Sequence, residues 1–167
     1  MSSIRSTDLF GRIVALLDAE HADYRVIEHA PEGRTDIVSQ MRQHPLHQAV
    51  KTIVVMVKIG KKTSRYFLAN IPGNCQLDIE AVKALVGGTR AMFAPLDRAE
   101  ALTGCQTGAI PPFSFHERLE VLADPLLLQH KEIAFNAGRL DRSIMMTSDS
   151  YRRIAAPRIE SIAKVDM

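Results

Sequence analysis

At 167 residues the chain fits one domain and is long enough to bury a full core. Its 21 Lys and Arg against 19 Asp and Glu leave a formal net charge of +2, which argues against duplex DNA or an anionic membrane as partner but allows brief contact with a nucleic-acid end. No run nears the ~18 apolar residues of a membrane span, and Cys75 and Cys105 stand too far apart for a disulfide framework or a zinc ribbon, so both read as inert thiols.

Met1 to Arg5 shows neither an apolar stretch nor a small-residue cleavage site, so the expected location is the cytoplasm. Ser6-Thr7-Asp8 precedes Leu9, Phe10, Ile13, Leu16 and Leu17, an apolar stripe at helical spacing. Tyr24 to His29 alternates as a strand and stops at Ala30-Pro31. Asp36 to Met41 reads as a short helix, interrupted by His44-Pro45. Val50 to Lys58 is rich in Val and Ile, and Gly60-Lys61-Lys62-Thr63 turns it into a second strand, Ser64 to Ile71. After the turn Pro72-Gly73-Asn74, a helix is expected from Leu77 to Leu85, stopped by Gly87-Gly88. Ala91 to Phe93 reads as a strand and Leu96 to Leu102 as a helix. Leu119 to Asp124, Glu132 to Asn136 and Ser143 to Met146 read as strands, followed by a helix from Ser148 to about Ile154. Without regular βαβ alternation, this order predicts a single α+β domain: a mixed, mainly antiparallel curved sheet with flanking helices.

Two features could carry chemistry. Gly108-Ala109-Ile110-Pro111-Pro112-Phe113 combines a residue free to take positive φ with two that lock φ and donate no N–H. Such a loop holds one shape, whether as a rigid connector or as a reader of small ligands through main-chain atoms. Lys51 shares a strand face with Ile53, Val55 and Val57. It either snorkels from the strand end or serves a ligand. His44 and His47 lack the neighbours of a metal site, and Pro45 disfavours helical geometry at His44. His29, at a strand end, reads either as a structural histidine, satisfied or exposed, or as one facing a cleft. No G-x-S-x-G or cysteine–histidine pairing indicates a nucleophile. Arg139, Arg142, Arg152 and Arg153 give the last third a basic tilt, which reads either as a solvated face or as a phosphate contact.

Over about Leu9 to Ile154, the order of these landmarks resembles the YbaK/ProX family of aminoacyl-tRNA editing domains. The matching pieces are His29-Ala30-Pro31, the lysine-led strand Lys51-Thr52-Ile53-Val54, Leu68 to Asn74 with Leu77-Asp78, the G-x-x-x-P loop Gly108 to Pro112, and Leu122 to Leu126. Phe135 to Leu140 and Ser143 to Met146 are most similar to the freestanding YeaK-type branch, with Arg139 standing where several members carry histidine. The resemblance implies one YbaK-like editing domain over 1–167, without cofactor or metal. It implies hydrolysis of the ester joining a small mischarged residue (Ser, Ala or Thr) to the tRNA 3′ adenosine, with a synthetase as an open second partner. Lys51 and the backbone of Gly108, Ala109 and Ile110 would be catalytic. His29, Ile53, Val55, Pro112, Phe113, Asn136 and Gly138 would bind substrate, the apolar ones shaping the side-chain pocket. A non-catalytic module binding the same aminoacyl 3′ end is the alternative.

Overall fold

The hairpin organises everything around it. In the computed structural model, which describes residues 8–165, β2 (Val50–Ile59) and β3 (Thr63–Pro72) pair antiparallel from Val50↔Pro72 to Ile59↔Thr63. Gly60 makes the turn at φ 68°, in the left-handed region that glycine tolerates. Side chains alternate across β2: Ile53, Val55 and Val57 enter one apolar cluster, Val54 and Met56 another.

The other short elements dock onto this hairpin. β4 (Cys75–Leu77) follows β3, and β5 (Arg90–Phe93) pairs antiparallel with β2. β6 (Leu119–Ala123) lies parallel to β3, and β9 (Arg158–Ile159) parallel to β6, giving a five-stranded sheet ordered β5-β2-β3-β6-β9. A second, antiparallel sheet is ordered β1-β8-β7, from β1 (Tyr24–Glu28), β7 (Glu132–Arg139) and β8 (Arg142–Thr147). β10 (Ala163–Val165) pairs with β4 as a separate ribbon. The expected mixed, mainly antiparallel strand set is present, but it is divided among three sheets. A parallel bridge between Ala49 and Ala134 joins the two larger ones, so β2 begins against β7.

Five α-helices cover these sheets among the described residues: α1 (Leu9–Ala19), α2 (Thr35–Arg42), α3 (Ile79–Leu85), α4 (Leu96–Thr103) and α5 (Ser148–Ala155). Asp8 caps α1 by accepting from Gly11 N at 2.7 Å, while Ser6 and Thr7 lie outside the described residues, as does Met1 to Arg5. The helix expected from Leu77 starts two residues later. Leu77 ends β4, and Asp78 caps α3 with its carboxylate on Ala81 N. α1 and α5 close a third cluster over the three-stranded sheet, built on Ile13, Leu17, Phe113, Phe135, Ile144 and Tyr151. No helix among the described residues is long and apolar enough to cross a membrane.

Candidate active site

A cleft of about 180 Å³ opens where the start of β2, the helix α2, the Gly108 loop and β7 converge. Its buried end is formed by Val38, Arg42, Val50 and Asn136, while Gly33, Thr35, Lys51, Thr52, Gly108 and Ile110 are half-buried and Thr107 sits at the exposed rim. Among the described residues two cations and no carboxylate line it, so this lining is electropositive.

Lys51 sits on the β2 wall. Its Nζ donates to the Cys75 carbonyl at 2.7 Å, which fixes the ammonium and leaves two further N–H donors. The Gly108 loop lines the same cleft and is held from three sides. Gly108 adopts φ 92°, and its backbone presses against that of Gly33. Asn136 Nδ2 donates to the carbonyls of Gly108 at 2.9 Å and Glu32 at 2.8 Å, tying the loop to the strand and to the segment before α2. Farther along, the Tyr151 hydroxyl donates to Pro112 O at 2.9 Å, and the Phe113 ring packs edge-on against Phe135 and Tyr151. Within this anchored loop, the N–H groups of Gly108 and Ile110 make no hydrogen bond to any described residue. Both residues line the cleft.

Beneath the loop runs a buried polar network. Arg42 Nε donates to Ser143 Oγ at 2.7 Å and Nη2 to Asn136 Oδ1 at 3.0 Å. Ser143 Oγ also contacts Asn136 Oδ1 at 3.1 Å and His29 Nε2 at 2.6 Å. Burial pushes the Arg42 guanidinium down to about 10, so it keeps its charge at neutral pH.

Of the residues expected at a site, Lys51, Gly108, Ile110 and Asn136 meet in the cleft. The others fall elsewhere, for physical reasons. Ala109 is fully buried with both backbone groups used, its N–H on Gln106 O and its carbonyl taking Gly138 N at 2.8 Å. Gly138 is therefore a support behind the loop, at φ 81° against Leu9. Asn136 reaches the cleft but its amide is saturated by four protein partners, which leaves it to position Gly108 rather than hold a ligand. His29 has both ring nitrogens engaged, by Ala30 O and Ser143, and does not line the cleft.

The expected apolar pocket of Ile53, Val55 and Phe113 does not form. Val55 and Phe113 are buried in two different clusters, and Pro112 is buried with its carbonyl on Tyr151. Ile53 lines a neighbouring apolar groove with Val54, Phe93, Leu96 and Ala99. That groove shares Thr52, Thr107 and Ile110 with the cleft, so the two are continuous. The apolar walls of the cleft itself are Val38, Val50 and Ile110. Arg42, Gly33 and Thr35 escaped the sequence reading. For Arg42 the available signal was its place four residues after Val38, on the same helix face.

The Aminoacyl-tRNA editing domain family matches residues 29–154, three quarters of the chain. The chain belongs to this family. It is 43% identical over 149 residues to the Multifunctional Ser/Thr-tRNA deacylase ProXp-y of Escherichia coli (strain K12), covering 89% of each chain. The fold is shared with the crystal structure of a hypothetical protein, APE2540, at TM-score 0.82 and 18% identity, covering 92% of this chain and 99% of that one. It is also shared with a candidate trans-editing enzyme for prolyl-tRNA synthetase, at TM-score 0.76 and 23% identity, covering 93% and 96%. In this editing domain the matched span includes both walls of the cleft.

Proposed function

We propose that the protein is a trans-editing aminoacyl-tRNA deacylase, working as a single editing domain over 1–167 and hydrolysing tRNA mischarged with a small amino acid such as serine, threonine or alanine. One observation carries the reading: Lys51 and the Gly108 loop, whose Gly108 and Ile110 N–H groups bond to no described residue, line one cleft of about 180 Å³. The name of the Escherichia coli relative, a Ser/Thr-tRNA deacylase, supports the same substrate class.

The chemistry asks little of the protein. A water oxygen adds to the ester carbonyl, the bond from that carbon to the ribose oxygen breaks, and the departing oxygen takes up the water's proton. Free amino acid and uncharged tRNA result. The ester is already activated, so placing the water and stabilising charge on the carbonyl oxygen supply most of the acceleration. The N–H groups of Gly108 and Ile110 are the donors for that oxygen, and Lys51 holds the phosphate or sugar of the terminal nucleotide. The groove at Phe93 and Leu96, both well exposed, gives the terminal base an apolar floor continuous with the cleft. Action in the cytoplasm and recruitment by an aminoacyl-tRNA synthetase belong to this reading, and co-purification of a synthetase with the tagged protein tests the second.

Incubation with a panel of mischarged tRNAs tests the whole reading. Serine or threonine should be released well above the spontaneous rate, and a panel without any such release overturns it. One observation favours a second reading, a non-catalytic module for the aminoacyl 3′ end: no carboxylate or histidine lines the cleft to take a proton. Tight binding of mischarged tRNA by folded protein, without turnover, would establish that module.

A further inference from the structure

Arg42 is an anomaly for a residue in a small domain. It is 7% exposed, and the protein gives it only neutral partners, Ser143 and Asn136. Its Nη1 is buried and bonded to nothing in the protein. A buried cation is costly unless an acid or a ligand compensates it, and an unmade hydrogen bond adds to that cost. Among the described residues no carboxylate lines the cleft beside it. Arg42 lines the cleft, so what the cleft binds is a source for the compensating oxygen.

Position says which oxygen. On the deacylase reading the tRNA body stays outside the cleft, whose exposed lining residue is Thr107, and the ester it carries lies against the half-buried Lys51, Gly108 and Ile110. The amino acid's side chain lies beyond the ester, and the buried lining residues are Val38, Val50, Arg42 and Asn136, the last with its amide already saturated. Two valines there offer a methyl its contact, and the guanidinium offers a donor. We infer that Arg42 is the specificity-determining residue of this cleft, donating from Nη1 to the side-chain hydroxyl of a seryl or threonyl group and so selecting hydroxylated residues over apolar ones of equal size. This rests on the deacylase reading and narrows it. A site built to bond a hydroxyl penalises the analogue that lacks it, because the buried donor is left unpaired. Size alone separates substrates far more weakly.

The test uses isosteric pairs on one tRNA: serine against 2-aminobutyrate, and threonine against valine. For the wild-type protein, kcat/KM should favour the hydroxylated member of each pair about 10- to 100-fold, the range of a charge-assisted hydrogen bond. In Arg42→Met the preference should collapse to within about threefold of unity. Equal rates for serine and 2-aminobutyrate on the wild-type protein would overturn the inference. So would an Arg42→Met protein that slows all four esters alike and keeps the preference, since that marks a merely structural arginine. Because the wild-type comparison needs no variant, poor folding of Arg42→Met leaves the inference open to refutation. Release of none of the four by the wild-type protein overturns the deacylase reading itself, and this inference with it.

Discussion

Gly108 shows how tightly single residues constrain the cleft. At φ 92° an L side chain is strained, and a Cβ there would lie 2.9 Å from Gly33 Cα, where nothing flexible can yield. Gly108→Ala should therefore lower stability by about 1–3 kcal/mol and reduce deacylation at least tenfold, read by urea unfolding and by kcat/KM. A variant unchanged in both would mean the two backbones are not held in contact. Lys51 makes the complementary prediction. Its ammonium is tied to a neutral carbonyl and has no acid partner among the described residues, so the fold gains little from its charge. Lys51→Ala should leave the melting temperature within a few degrees and cut kcat/KM tenfold or more. Full activity would remove Lys51 from the site. Lys51 was legible in the sequence because a cation interrupted an apolar strand face. Arg42 was not, since a cation in the last turn of a helix is commonplace, and only packing against β7 and β8 reveals that this one is buried.

Among the elements, α5 acts well away from its own position. It follows β8 directly, capped by Thr147, and turns Tyr151 inward to the Pro112 carbonyl, so a helix near the end of the chain braces the loop that forms one wall of the cleft. Tyr151→Phe keeps the ring packing against Phe113 and leaves that carbonyl unsatisfied. It should cost about 1–3 kcal/mol, with a measurable loss of kcat as the loop loosens. Denaturation midpoints coinciding with wild type would refute this bracing role. The hairpin β2–β3 could be read from its apolar runs and its Gly-Lys-Lys turn, and α1, α4 and α5 from their spacing or caps. The strands β4, β9 and β10 could not, being three residues or fewer, too short for an alternation to register.

At the scale of the molecule, Asp124 ties the two ends of the architecture together. Its buried carboxylate accepts from Leu126 N, Ile162 N and Ala163 N, each at 2.8 Å, clasping the C-terminal segment to the end of β6. Ile162 in turn fills the cluster under β2 and β3, and its carbonyl takes Asp78 N at the start of α3. Asp124→Ala strands three backbone donors and should lower stability by about 2–4 kcal/mol, seen as an earlier urea midpoint. An unshifted midpoint would show that the clasp contributes nothing. The sequence placed Asp124 at a strand–turn boundary. It could not show the segment that the carboxylate holds, because that contact spans 38 residues and follows no local period.

The meeting of Gly33 and Gly108 has a consequence for redesign. Where two bare backbones touch, the gap between them is fixed by main-chain geometry and has no side chain to trim or enlarge. This part of the cleft lining is in effect hard-wired, and the adjustable surfaces are its side chains. If the proposed cleft holds the amino acid, the substitutions that would reshape it for a bulkier one are at Val38 and Val50, with the loop left alone.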